Sequence, residues 1–322
     1  METHDAPNSP ARSPRRTISD SSYARLTWFT VGWLVVIVVC GAAVRLTGSG
    51  LGCSDWPNCS EQSLVPESDF HSLVEFGNRL ITIPVGFAAL AALIGAYRKA
   101  TPNRRLIPWA WALVIGVFAN AIWGRFTVVW KLRPEVVMVH FLLAMATLWF
   151  AVALHHIATS RGVPETGAPS RRLRLLARAS VLVTTGVVFL GTVVTAAGPH
   201  AGDENVERLG VDLPAAARNH GLLVWVLVFL VLAMFVTTES VEGDAGFRPM
   251  IRTFAVVVAA QGVIGYVQYF ADIPALLVAL HIAGACAVWI LAVRLGFIVG
   301  WPRTSDSSPA ATTDPEPAEA RR

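Results

Sequence analysis

Eight uninterrupted apolar runs decide what this chain can fold into. They lie at approximately 26–44, 72–97, 107–128, 135–157, 174–197, 217–237, 250–270 and 274–300. Each is long enough to cross the ~30 Å hydrocarbon core of a bilayer as a helix. Away from water every backbone N–H and C=O must find a partner, and a helix supplies them all from within its own segment. A transmembrane β-barrel would show short alternating segments instead. With 54% of its 322 residues hydrophobic and only 15% charged, the chain is also too apolar for a soluble enzyme. The first run is longer than the apolar core of a signal peptide and seven more follow it, which predicts a retained helix. The expected fold is an all-α integral membrane protein of eight transmembrane helices.

The placement of charge predicts the orientation. Lys and Arg number 18 in the segments 1–25, 98–107, 159–178, 239–252 and 301–322, and 6 in the loops 45–71, 125–133 and 198–218. The richer side is expected to be cytoplasmic, which puts both termini in the cytoplasm and the spans in the cell (plasma) membrane. A net charge of only +4 gives no reason to expect a nucleic-acid partner, so lipid is the surrounding medium. Residues 1–24 and the tail 301–322, rich in Pro, Ser, Thr, Ala and Glu, are expected to be disordered, with 159–172 as a cytoplasmic linker.

The chain also repeats itself. Val139-His140 resembles Leu280-His281 at a spacing of 141, and Ala119-Asn120 with Gly124 resembles Ala260-Gln261 with Gly265 at the same spacing. Gly41, Val44, Gly48 and Gly52 resemble Gly191, Val194, Gly198 and Gly202 at 150. Two four-helix bundles follow, over 25–158 and 173–300. Each unit has an even number of helices, so the repeat is parallel, with its axis along the membrane normal.

Buried polar groups are few, and in hydrocarbon each is a candidate for function because burying it unpaired is costly. His140 lies six residues past Pro134, His220 six past Pro214 and His281 seven past Pro274, which places all three at similar depth near the outer ends of their helices. Glu75, Asn78 and Arg79 stand at the corresponding level of the second span. By the repeat, Asn78 takes the place of His220, and an alanine takes that of Glu75. Two imidazoles at matched depth, His220 and His281, suit axial ligation of a haem iron from both faces. His140 faces an asparagine instead, beside the intramembrane acid Glu75, which marks the first bundle as the reactive one. Against this, a membrane histidine can simply hydrogen-bond a neighbouring helix, and Glu75 can simply neutralise Arg79 at i, i+4. His71, His155 and His156 are expected to be interfacial and solvated, while His200 is either a turn residue or a neighbour of a haem propionate. Arg45, Arg79, Arg125 and Arg218 are all available to propionates.

Cys53 and Cys59 share one outer loop, either as a loop staple or as a thiol pair that exchanges electrons with a partner. Cys40 and Cys286 fall inside spans and are expected to pack as small apolar residues.

These residues resemble the haem A synthase family, the membrane enzymes that convert haem O to haem A for terminal oxidases. The likeness runs from about Leu26 to Gly300. It rests on Gly41-Ala42-Ala43-Val44-Arg45-Leu46-Thr47-Gly48-Ser49-Gly50-Leu51-Gly52-Cys53, on Trp56-Pro57 and Cys59, and on Glu75 with Arg79. Val139-His140, Asn219-His220-Gly221 and Leu280-His281 complete it. The resemblance implies a haem B held by His220 and His281, and the substrate haem O in the first bundle near His140, Asn78 and Arg79. It further implies Glu75 as the essential acid while the C8 methyl is oxidised to a formyl group, and Cys53 with Cys59 as a disulfide. Two features depart from the family pattern. The usual Glu-x-x-His-Arg is here Glu75-Phe76-Gly77-Asn78-Arg79, so the substrate haem cannot be held by two histidines. The second outer loop, Gly198 to Asp203, also lacks the cysteine pair of some relatives.

Two other functions fit parts of the pattern. A quinone-linked thiol oxidase working through Cys53 and Cys59 would need a second reactive cysteine pair. A haem B electron carrier would need His220 and His281 but have no use for Glu75. Haem O synthase, the terminal oxidase, an unidentified electron donor and a second copy of the chain are the candidate partners.

Overall fold

A computed structural model describes residues 17–66, 68–160 and 168–300. Eight helices account for about three quarters of them: α1 (Asp20–Leu46), α2 (Phe70–Arg98), α3 (Leu106–Val129), α4 (Pro134–Thr159), α5 (Arg171–Ala197), α6 (Leu213–Ser240), α7 (Arg248–Phe270) and α8 (Ala275–Ile298). All eight are long and apolar enough to cross a membrane, so the chain is a multi-pass membrane protein.

The packing follows the repeat. Helix α1 packs on α2 and α4, and α3 lies between α2 and α4; α5 packs on α6 and α8, and α7 lies between α6 and α8. The two rings meet through α4 against α8, α1 against α8 and α4 against α5. Exchanging helices 1–4 for 5–8 leaves this whole set unchanged, so a twofold relation runs between α4 and α8. The turns repeat as well. Lys131 and Leu132 before α4, and Asp272 and Ile273 before α8, all have positive φ, and the amides of Leu132 and Ile273 return to Thr127 and Gln268 carbonyls at 2.7 and 2.8 Å. Trp289 of α8 donates its indole N–H to the Met145 carbonyl of α4 at 2.9 Å in the apolar seam between the halves.

Lipid removes the hydrophobic drive between helices, so close packing relies on small residues. Helix α2 buries Val85, Ala88, Ala89, Ala92 and Ala96. A Cβ at Gly95 would stand 2.8 Å from the Tyr23 ring of α1, so only glycine allows this approach.

The first helix begins earlier than the apolar pattern indicates, and residues 20–24 are helical where a disordered terminus is expected. Ser19 caps α1 by accepting from the Ser22 amide, Asp20 pairs with Lys99 at 3.1 Å, and fully buried Tyr23 donates to the Ala92 carbonyl at 3.0 Å. These polar anchors extend the helix past its apolar stretch. Residues 1–16, 161–167 and 301–322, the remainder of both expected disordered ends and of the linker, lie outside the described residues. Cys286 is buried as expected, but Cys40 is only half-buried.

Candidate functional site

The end of the bundle carrying the loops 47–69 and 198–212, here the loop end, gathers the chemistry. Loop 47–69 is folded onto the start of α2 by two hydrogen bonds one helical turn apart. Ser72 Oγ donates to the Gly52 carbonyl at 2.7 Å, and the Cys53 amide donates to Glu75 Oε2 at 2.8 Å. The other carboxylate oxygen, Oε1, accepts from Arg79 Nη2 at 2.6 Å. Arg79 reaches back with Nη1 to the carbonyls of Asp55 and Asn58, at 2.9 and 3.0 Å. Glu75 is thus only 4% exposed yet accepts at both oxygens, which is how a carboxylate survives this burial. The Cys53 and Cys59 sulfurs lie 2.01 Å apart within the same loop. Arg125 stands over the Trp56 ring, 5.8 Å from its centroid.

Gly52 makes this docking possible. A Cβ there would lie 2.4 Å from the His71 carbonyl oxygen and 2.7 Å from the Ser72 amide, both backbone atoms that cannot step aside. Gly52→Ala is therefore expected to lift the loop from α2 and cost about 1–3 kcal/mol, as overpacking does. Thermal unfolding in detergent should register the loss. Gly221→Ala, where a Cβ meets nothing within 4 Å, is the control expected to be neutral.

Each of the three deep histidines is backed by a glycine. Cβ atoms built at Gly124, Gly191 and Gly265 would stand 3.5, 3.3 and 3.0 Å from Cε1 of His140, His220 and His281. His140 and His281 are repeat-related, and so are the glycines behind them. In the second half the rings of His220 and His281 face each other with centroids 6.4 Å apart and planes at 67°. His220 Nδ1 pairs with the Val187 carbonyl at 3.1 Å, whereas His281 Nδ1 is buried without a partner. In the first half His140 Nδ1 and Asn78 Oδ1 are likewise buried and unpartnered. Gly41, which repeats as Gly191, faces open space, because no imidazole occupies the position of Asn78. Carbonyl oxygens of Asn120 and Gln261, also repeat-related, are buried and unpaired in the two halves.

Unpaired buried polar atoms at matched positions are expensive, and they point to a bound group in each half. A haem fits the second-half pair. Two imidazoles sharing one iron at metal–nitrogen distances of about 2 Å need roughly the ring separation seen here. The first half offers one imidazole, an amide and a carboxylate, with room where the second histidine would stand.

Several expectations need correction. His155 and His156 are half-buried, not solvated: His155 Nδ1 lies 2.9 Å from Thr27 Oγ1, and both line a cavity of about 190 Å³ at the opposite end with Arg294 and Trp28. His200 Nε2 lies 2.9 Å from the Ile273 carbonyl, so it ties the second loop to the α7–α8 turn. His71 is exposed as expected, and its Nδ1 lies 3.0 Å from Ser49 Oγ. Among the described residues no second cysteine pair exists to serve a thiol oxidase, since Cys40 and Cys286 are both free. Sequence patterns gave no hint of Ser72 as the loop's second anchor, or of Arg208, whose Nη1 is buried and unpartnered.

A polytopic helical protein built from two related four-helix units, each with an inward-facing histidine at the loop end, is the class that fold and site define. The family of cytochrome oxidase assembly proteins (COX15-CtaA) matches residues 24–202, more than half of the chain, and the chain belongs to it. It is similar to a Heme A synthase of Shewanella oneidensis, 27% identical over 187 residues that make up 52% of this chain and 56% of that protein. A Heme A synthase of Lysinibacillus sphaericus is 31% identical over 134 residues, 40% of this chain and 43% of that protein. A Protoheme IX farnesyltransferase of Thermus thermophilus is 28% identical over 306 residues, 87% of this chain but 49% of that protein. The chain therefore spans about half the length of the curated relatives it matches. The family match ends before His220 and His281, so the second-half pair rests on the geometry and the internal repeat alone.

Proposed function

We propose that the protein is a haem A synthase, which oxidises the C8 methyl of haem O to a formyl group in the plasma membrane, with its loop end facing outward. The observation that carries this reading is the contrast between the two halves. One presents a facing imidazole pair, and its repeat-related counterpart replaces an imidazole by Asn78 and adds a buried carboxylate, Glu75. In this reading His220 and His281 hold a haem B, which supplies one-electron transfer when bound. His140 and Asn78 flank the substrate haem of the first half, with Asn78 Oδ1 open to a hydrogen bond from it. Glu75, one helical turn from Asn78 and Arg79, takes up and returns protons as the methyl group is oxidised. Arg79 and the Cys53 amide fix the carboxylate so that its proton moves at a defined place. The Cys53–Cys59 pair closes the loop that carries that amide, so its role is a disulfide staple beneath the acid. Residues 25–158 then form the substrate half and 173–300 the haem B half.

A haem A synthase takes its substrate from an enzyme that farnesylates protohaem and delivers its product to a cytochrome oxidase. The likeness to a protein named as a farnesyltransferase agrees with this position. The test is co-production with a haem O synthase in a host lacking haem A, detergent purification, and identification of the extracted haems by mass. Haem B together with haem A or its hydroxylated precursor is expected. Haem B alone would identify an electron carrier, and no haem would refute the assignment altogether.

A further inference from the structure

Arg45 closes α1 at the loop end and is the repeat counterpart of Thr195 in α5. Counterparts close to a twofold axis approach each other, and Arg45 Nη2 donates to the Thr195 carbonyl at 2.6 Å. The first half thereby places a guanidinium on the second. Arg45 Nε is nevertheless buried with no partner. A second guanidinium, Arg208, comes from the loop 198–212, whose Gly202 packs beside Arg45. Arg208 Nη2 is held by the Pro199 carbonyl, while its Nη1 is buried and unpartnered. Neither arginine joins an ion pair among the described residues. The loops around them are locked together: the Gly50 amide donates to the Gly202 carbonyl at 2.8 Å, and Gly202, at φ +99, packs beside Arg45, where a Cβ would stand 3.0 Å from Leu132 Cδ1 and 3.7 Å from Arg45 Cγ. Arg208 also lines an open cleft of about 650 Å³ with Tyr269, Phe270 and Asp272.

Two neighbouring cations that keep buried, idle donors are unfavourable unless an anion joins them. Guanidinium forks match a planar carboxylate. The position of this pair identifies which carboxylate. Thr195 is one turn, about 6 Å, nearer the loop end than Gly191, which backs the His220 ring. Arg45 is also one turn loop-ward of Gly41 on its own helix. The other arginines at this end are committed or exposed: Arg79 to Glu75 and two carbonyls, Arg125 to the Trp56 face, Arg133 beside Glu135 in solvent, and Arg218 exposed. We propose that Arg45 and Arg208 together bind a propionate carboxylate of the haem held between His220 and His281, so that the first half completes the cofactor site of the second. The proposal rests on the haem reading given above.

The test compares protohaem with its dimethyl ester, which lacks the carboxylates. The full chain is produced in haem-limited cells, purified in detergent and titrated with each form, following the absorbance of the two-imidazole-ligated iron. Wild type is expected to bind the free acid about tenfold or more tightly than the diester, the effect of charge-assisted hydrogen bonds. In Arg45→Gln that preference should fall toward unity with diester binding unchanged. Arg45→Lys, which keeps the charge without the fork, should retain part of it. If Arg45→Gln does not fold, Arg208→Gln in the loop gives the same reading. Equal binding of both forms by wild type, or an undiminished preference in the Gln variants, overturns the arginine assignment and leaves the haem reading standing. Binding of neither form by wild type overturns the haem reading itself.

Discussion

Glu75→Gln is expected to abolish formation of haem A while leaving haem B in place. Glutamine has nearly the same shape, and its carbonyl oxygen can still accept from the Cys53 amide or from Arg79. Arg79 keeps its bonds to the Asp55 and Asn58 carbonyls, so the loop stays seated on α2. What disappears is the negative charge and the ability to take a proton. A positioned acid or base contributes about 10²–10⁴-fold to a proton-transfer step, so the product should fall by at least about 100-fold. The lost charge-assisted hydrogen bond should cost about 1.5–3 kcal/mol of stability, enough to lower the melting temperature without unfolding the protein. The measurement is the mass of haem extracted after co-production with a haem O synthase: unconverted haem O beside a normal amount of haem B. If Glu75→Gln still makes haem A at the wild-type level, the carboxylate is only the counter-ion of Arg79.

Arg79→Gln would leave Glu75 buried with one hydrogen bond and no cation, and would release two carbonyls of the cysteine loop. That variant is expected to lose both stability and product, whereas Glu75→Gln loses product chiefly. If the ion pair were purely structural, product would fall only in step with stability in both variants.

How much of this was legible in the sequence differs from one feature to the next. The eight helices were, because a membrane-spanning segment must satisfy its backbone internally and therefore announces itself by length and apolarity. The repeat was legible too, since His140 with Gly124 and His281 with Gly265 keep one spacing, and in the fold each glycine backs its histidine. Helix α1 was shortened because apolarity does not report the Ser19 cap or the Asp20–Lys99 pair that starts it. Nothing local in the sequence signals that His155 is half-buried, because its partner, Thr27, is 128 residues away. Contacts of that kind have no local signal. Arg208 carries no sequence signal for the same reason: nothing near it in the chain shows that its loop packs against Arg45. The 150-residue spacing of Arg45 and Thr195 did contain their meeting, but only once the axis was known to run between the halves.

Removing either imidazole of the second half is expected to produce the other large effect, and with the opposite signature. His281→Ala and His220→Ala should each yield a protein that purifies without haem B, or with a spectrum altered from that of two-imidazole ligation. Losing an outer-shell hydrogen bond to a ligand already costs about 10–100-fold in metal affinity, and losing the ligand itself should cost more. His220 is the better anchored of the two, through the Val187 carbonyl, while His281 has no partner at Nδ1 and depends on Gly265 and its helix for position. His281→Ala should still fold, because the ring makes no hydrogen bond through that nitrogen and the Gln261 amide donates to the backbone carbonyl of residue 281, which the substitution keeps. His140→Ala provides the contrast: it should leave haem B intact and impair only retention of the substrate haem. If His140→Ala empties the second site, or His281→Ala leaves haem B at its normal amount and spectrum, the division of labour between the halves is wrong. The separation is demanding because the two histidines are repeat counterparts on helices that pack directly against each other. Opposite outcomes at equivalent positions could then come only from what surrounds them: His220 in one half, Asn78 and Glu75 in the other.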